Sequence, residues 1–311
     1  MQKGEFYMTS LKELQISSEL IGLAGVGNMG KCILDGLIRG GFSVIAYDPF
    51  PAAGEYAASK GAALAKSPQE LASKTRIILM SLPKPQQVLE VVGGENGLLE
   101  QVTGEHIIVD TSTVSPETSK KAAEMVEKKR GHYIDAPILG RPSAAGKWLM
   151  PSGGEDCCID YVQPVLRCFA REAVKVGGHG AGNAFKLLNQ LMFSVINGIS
   201  SEVMALADIL GVDKKRFYEV VSQSGAATVS GLFCETAGRI AEENFGDPTF
   251  TIELLCKDAG LGIEMAKEAG VTPLIAGFVQ NLNENARGKG LAKQDTSALS
   301  KVFTQFYSQI S

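Results

Sequence analysis

Gly25-Val26-Gly27-Asn28-Met29-Gly30 constrains this chain more than any other stretch. The apolar run Glu19-Leu20-Ile21-Gly22-Leu23-Ala24 before it reads as a strand, and Lys31 to Arg39 after it reads as a helix. A second apolar strand, Phe42 to Tyr47, ends at Asp48, 18 positions beyond Gly30. G-x-G-x-x-G alone is a weak signal. With the strand, the helix and the acidic residue in place it is the full fingerprint of a dinucleotide site. The glycines let backbone N–H groups approach a pyrophosphate at a helix N-terminus. Asp48 would accept hydrogen bonds from the adenosine ribose and repel a 2′-phosphate, so the pattern favours NAD over NADP.

Strand and helix go on alternating. Ser67-Pro68-Gln69-Glu70 is a capping box with Pro at the first helical position. Arg76 to Leu82 and His106 to Asp110 read as strands, and Ser115-Pro116-Glu117 opens the next helix. His132 to Leu139, Lys147 to Pro151 and Ala173 to Gly177 are further strand candidates. The order predicts an α/β fold with a Rossmann-like, doubly wound sheet, whose ligands bind beyond the carboxyl ends of the strands. Those ends are Leu82-Pro83, Asp110-Thr111-Ser112-Thr113 and Asp135-Ala136-Pro137. Taken singly, each reads better as ordinary turn chemistry.

After the glycines Gly177, Gly178, Gly180 and Gly182, Ala184 to Leu210 reads as one helix of roughly 40 Å. That is long enough to join two domains. Lys186, Asn189/Gln190, Ser194, Asn197 and Ser201 form one polar stripe, and Leu187, Leu188, Leu191, Met192, Val195, Ile196 and Ile199 cover most of the rest. The pattern predicts a mostly buried helix, and its polar residues argue against a membrane span. Lys186 reads equally as a lysine snorkelling from a core helix and as a catalytic one. Beyond Leu210 the chain reads as helical throughout. The expected domains are a polar extension over 1–18, a sheet domain over 19–178 and an all-α domain over 179–311.

A chain of 311 residues with 30 Lys+Arg against 34 Asp+Glu has nothing to recruit nucleic acid or an acidic membrane. Its six cysteines hold no C-x-x-C pair, and three histidines make a metal cluster improbable. Unpaired cysteines suit a reducing compartment. The first 18 residues show no apolar or Arg-rich targeting pattern. The expected location is the cytoplasm.

In combination, IGLAGVGNMG, YDPFP, SLP at Ser81, DTSTVSP at Asp110, DAP at Asp135, GHGAGNAFKLLNQ around Lys186 and FTIELLCKDAGL around Lys257 resemble the β-hydroxyacid dehydrogenase family. The resemblance covers Ile21 to about Leu299. It implies a Rossmann-like domain, a long interdomain helix and a helical C-terminal domain like that of 6-phosphogluconate dehydrogenase, in a homodimer or homotetramer. It implies NAD bound by Gly25, Val26, Gly27, Asn28, Met29, Gly30, Asp48, Leu82, Pro83, Gln87, Thr113 and Lys257. Lys186 matches the catalytic lysine and Asn189 the polar residue beside it. Ser112, Gly140, Arg141 and Lys257 fall in the substrate site, and the substrate would be a small anion. Acid–base work near neutral pH requires such a lysine to titrate well below its free value of ~10.4.

Two departures from the family pattern stand out. After Asp-Ala-Pro the family carries Ser-Gly-Gly, whose backbone grips a carboxylate. Here Leu139 replaces the Ser and Arg141 the second Gly. Arg141 would supply a bidentate anion clamp, or else only shape the loop. A sulfonate-specific branch carries a similar Gly-Arg pair, and imine reductases resemble the loop but lack the lysine. Gln190 replaces a usual Asn. The expected activity interconverts a 3-hydroxy acid and its semialdehyde or oxo acid. Reduction of an anionic aldehyde or imine is the alternative, and a non-catalytic NAD sensor is the reading from another class.

Overall fold

The computed structural model of the chain describes residues 19–226, 228 and 230–307. The expected polar extension over 1–18 lies outside them. The chain folds into two compact units, one ending at Lys186 and the other beginning at Leu187.

Among the described residues the first unit is built on eight strands: β1 (Ile21–Ala24), β2 (Val44–Tyr47), β3 (Ala63–Leu64), β4 (Ile77–Met80), β5 (Ile107–Asp110), β6 (His132–Asp135), β7 (Leu149–Gly153) and β8 (Glu172–Gly177). They lie in the order β3-β2-β1-β4-β5-β6-β7-β8. The first six are parallel, β7 runs antiparallel to β6, and β8 is parallel to β7. The chain leaves β1 in one direction for β2 and returns to its other side with β4. That reversal is where an open α/β sheet offers a ligand crevice. Helices α1 (Asn28–Arg39), α2 (Pro51–Ser59), α3 (Pro68–Lys74), α4 (Pro85–Gly93), α5 (Pro116–Glu127) and α6 (Asp156–Leu166) connect the strands.

Both faces of the sheet's centre are covered, so β2 and β4 are apolar at every position rather than alternating. Leu23, Leu79 and Val109 pack with Ile33, Leu37 and Val162 on one face. Ile78, Met80 and Ile108 pack with Val88, Ala122 and Val126 on the other. One strand was not read from the sequence, and one read strand ends early. Ala63–Leu64 is a two-residue edge strand, too short to leave a periodic pattern. β6 stops at Asp135, and Leu139 keeps only an isolated bridge to Leu149.

Helix α7 (Ala181–Ile209) starts three residues before the expected Ala184. The second unit adds α8 (Lys214–Ser222), α9 (Gly231–Ala241), α10 (Ile252–Glu268), α11 (Leu274–Ala286) and α12 (Ser300–Tyr307). Asp213, Ser230 and Thr251 cap α8, α9 and α10 with their side chains. The polar stripe of α7 faces inward. Gln190 donates to Asp258 Oδ2 at 2.7 Å, Asn283 donates to Ser194 at 2.8 Å, and Asn197 binds Thr236 and Thr296 at 3.0 Å each. Leu187 is buried, but Leu188 and Met192 are 57% and 61% exposed, so the helix is less buried than the pattern predicts. Hydrogen-bonding side chains therefore hold this unit at its centre, and α7 is its core helix rather than a bilayer span.

Candidate functional site

The glycine loop and its surroundings fit a dinucleotide. Gly25 has φ +95°, and a Cβ there would stand 2.3 Å from Ser81 O. A Cβ at Gly30 would stand 2.1 Å from Gly25 O. These two glycines press the loop onto β4 and onto the start of α1. A Cβ at Gly27 would meet nothing within 4 Å, so the middle glycine faces open space at the N-terminus of α1. No side chain caps that helix, and its first turn carries no acid. The exposed N–H groups and positive end of the helix dipole suit a pyrophosphate. Asp48 is bound into the same loop. Its Oδ2 accepts from Val26 N at 2.7 Å and its Oδ1 from Phe50 N at 2.9 Å. Each oxygen keeps a further acceptor position for a ribose hydroxyl. Gln87, in the first turn of α4, has a buried Oε1 with no hydrogen-bond partner.

From that loop a run of hydrogen bonds crosses the strand ends. Ser81 N donates to Ala24 O at 2.9 Å, and Thr111 donates to Met80 O from both its backbone N–H and its hydroxyl. Leu82 N donates to Ser112 Oγ at 2.9 Å. Ser112, only 3% exposed, thus ties the β4 and β5 turns together. Thr113 lies between this turn and Val114, whose N–H donates to Asn183 Oδ1 at 3.0 Å. Asn183 Nδ2 donates to Ser119 Oγ at 3.0 Å. Lys186 stands one turn further along α7 and is 8% exposed.

Two buried carboxylates anchor this run, and sequence reasoning took both for turn residues. Asp110 and Asp135 sit side by side in the β5–β6 register, and neither is exposed. Asp135 accepts from Gly180 N at 2.7 Å and Asn183 N at 2.9 Å, which fixes the start of α7. Asp110 accepts from Ser112 N at 2.9 Å and from the Tyr133 hydroxyl at 2.7 Å. Burial raises Asp110 to about 6, against the opposing hydrogen bonds from Ser112 and Tyr133. Burial also raises Asp135 to about 6, with the charge of Asp110 adding to the effect and the Gly180 and Asn183 N–H groups opposing it. The signal for both was a carboxylate closing an otherwise apolar strand.

The loop after β6 is organised by Trp148, the chain's single tryptophan, which sequence reasoning passed over. Its indole N–H donates to Arg141 O at 2.8 Å. Gly140 has φ +144°, and a Cβ there would lie 2.5 Å from the indole ring. Arg141 is half-buried.

In the second unit, Asn189 Nδ2 makes a long 3.5 Å contact with Gln190 Oε1, Gln190 donates to Asp258, and Asp258 Oδ1 pairs with Lys257 Nζ at 2.7 Å. Asp258, missed in the sequence, therefore links the two expected site residues Asn189 and Lys257. Gln190 does this from the position of the departure noted above.

A family model described as the NAD binding domain of 6-phosphogluconate dehydrogenase matches residues 20–178. A second, described as the NAD-binding domain of NADP-dependent 3-hydroxyisobutyrate dehydrogenase, matches residues 180–303. The chain is 30% identical to 2-(hydroxymethyl)glutarate dehydrogenase of Eubacterium barkeri over 92% of its own length and 95% of the relative's. It is 29% identical to 3-sulfolactaldehyde reductase of Escherichia coli, over 90% and 94%. A crystal structure of 3-hydroxyisobutyrate dehydrogenase from Salmonella typhimurium superposes with a TM-score of 0.85 at 25% identity, covering 92% of this chain and all of that one.

The buried carboxylates generate a pH dependence. A group raised on folding binds protons more tightly in the native state, so it lowers stability as pH rises from its unfolded value to its folded one. For Asp110 that window runs from ~3.9 to about 6, and the change is on the order of 3 kcal/mol. Denaturant unfolding across pH 4 to 7 should show wild type losing this much more stability than Asp110→Asn. Parallel curves for the two proteins would remove the assignment.

Proposed function

We propose that this chain, which belongs to the β-hydroxyacid dehydrogenase family, uses Lys186 as the general acid/base of an NAD-linked interconversion of an anionic 3-hydroxy acid and its carbonyl form. The oxidoreductase class and a nicotinamide dinucleotide follow from the family. The lysine's role, the preference for NAD and the substrate are our reading. The observation that carries it is the placement of Lys186, buried and one turn beyond Asn183, on a helix whose start is clamped to the cofactor-side strand ends.

In oxidation, neutral Lys186 takes the proton of the substrate hydroxyl as the C–H bond breaks. In reduction, its ammonium returns that proton to the nascent alkoxide. A bound nicotinamide would supply the hydride acceptor, or the donor in the reverse direction. Gly25 to Gly30 would hold the pyrophosphate and Asp48 the ribose. Leu82, Pro83, Gln87 and Thr113 would line the nicotinamide end, and the family resemblance assigns Lys257 to cofactor and substrate. Asn189 orients the substrate, and Ser112, Gly140 and Arg141 hold its anionic end. A relative named for a glutarate supports a substrate with a second carboxylate, and one named for a sulfolactaldehyde supports an anion other than a carboxylate.

Cofactor choice rests on Asp48, although one matching model is described as NADP-dependent. NAD should exceed NADP by at least tenfold in kcat/KM, about 1.4 kcal/mol. Equal use of the two would sink this reading.

A panel of 3-hydroxy acids followed at the NADH absorbance tests the chemistry. Lys186→Ala should lower kcat by roughly 10²–10⁴ while NAD binding persists. On the best acid, Arg141→Ala should raise KM by on the order of 1.5–3 kcal/mol, and Arg141→Lys should recover only part. Activity within a few fold of wild type in Lys186→Ala would refute the lysine's role, and an unchanged KM would leave Arg141 a loop residue.

A homo-oligomer is part of the same reading. Leu188 and Met192 on α7, and Leu274, Ile275 and Phe278 on α11, are all more than half exposed, a density that suits cover by a second copy. Light scattering should give two or four times 33.0 kDa. A monomer at micromolar concentration would contradict it. All six cysteines remain thiols, which supports a cytoplasmic setting.

A further inference from the structure

At the far end of β6 from Asp135, three donors of different chemistry meet. His132, the first residue of the strand, has a side chain 11% exposed, and its Nδ1 lies 3.1 Å from Glu155 Oε2. Glu155 directly precedes α6. In the first turn of that helix, the buried Cys158 points its Sγ at the same oxygen, at 3.5 Å. The exposed Cys157 places its Sγ 3.9 Å from that oxygen too. The antiparallel pairing Asp135↔Gly153 carries the chain back along β6 and so brings Glu155 beside His132.

The three donor atoms of His132, Glu155 and Cys158 lie within 4.8 Å of one another, the one such His/Cys/acid cluster among the described residues. Tetrahedral zinc has bonds of about 2.3 Å to sulfur and about 2.0–2.2 Å to nitrogen and oxygen, so its ligand atoms stand roughly 3.3–3.7 Å apart. The separations of 3.1 and 3.5 Å are close to this. A thiol within a mixed nitrogen, oxygen and sulfur set favours zinc-like ions over magnesium or calcium. An ion pair of His132 and Glu155 needs no sulfur, whereas here two thiols turn toward the same carboxylate oxygen.

We propose that His132, Glu155 and Cys158, with Cys157 as fourth donor, bind one zinc-class divalent cation at a site apart from the catalytic one. The ion would staple the start of β6 to the loop between β7 and α6. Each thiol gives its proton to solvent as its sulfur coordinates, and the histidine binds as neutral imidazole. Burial, reinforced by the charges of Cys157 and Glu155, keeps the Cys158 thiol protonated when no cation is present. Glu155, half exposed, provides the way in. The proposal does not depend on the dehydrogenase reading.

The test is titration of the full-length protein, chelator-stripped and kept reduced without added thiol, with cobalt(II) as the optical probe. One cobalt per chain should give tetrahedral d–d bands and a sulfur-to-cobalt charge-transfer band, both bleached by zinc. Cys158→Ser should abolish the charge-transfer band or reduce it to a remnant from Cys157. Cys157→Ser should roughly halve it, and Cys234→Ser should leave it unchanged. Glu155→Gln, at a half-exposed position that folding tolerates, should weaken cobalt binding at least tenfold, as should His132→Gln. Absence of tetrahedral bands at excess cobalt would overturn the proposal, and so would bands that persist with unchanged affinity in Cys158→Ser and Glu155→Gln.

Discussion

The Asp135 carboxylate is the joint on which the first unit turns. The first N–H groups of a helix have no partners within it, and a buried helix start must find them elsewhere. Asp135 supplies two at once, to Gly180 and Asn183, and its charge suits the positive end of the helix. Asn183 then passes the constraint to Val114 and Ser119. The backbone that carries Lys186 is thereby referenced to the same strand ends that carry the glycine loop. Burying two carboxylates in adjacent strands disfavours their ionised forms, which is the cost of this joint.

The two units achieve order by different means. In the first, apolar side chains fill both faces of a sheet, and the buried polar contacts gather at the strand ends. In the second, α7 turns Gln190, Ser194 and Asn197 inward, and each finds its partner on a different segment of chain. Such pairings fix register, because a helix rotated by one position would leave several buried polar groups unpaired.

What could be read in the sequence was what is local. The glycine fingerprint was legible because its steric demands arise within a dozen residues. The doubly wound sheet followed from the alternation of strand and helix, and the cap at Ser67 from its spacing to Glu70. The roles of Asp110, Asp135 and Asp258 were not legible, because each works through residues distant in sequence. Asp135 meets Gly180 45 positions away, and Gln190 meets Asp258 68 positions away. Periodicity found the polar stripe of α7 but could not say which side of the helix faces the interior, because both sides carried a consistent pattern. A count of histidines is likewise blind to His132 and Glu155 facing one another across an antiparallel strand pair.

Trp148 gives the molecule a built-in optical reporter. Its ring packs edge-on to Phe169 with centroids 6.5 Å apart, it is 1% exposed, and its N–H holds the carbonyl of Arg141. With Gly140 laid against the indole, the loop cannot lift without wetting the ring or releasing that hydrogen bond. Because the chain has no other tryptophan, its emission colour is set by this one loop, and any ligand that rearranges the loop writes its arrival into the protein's own fluorescence.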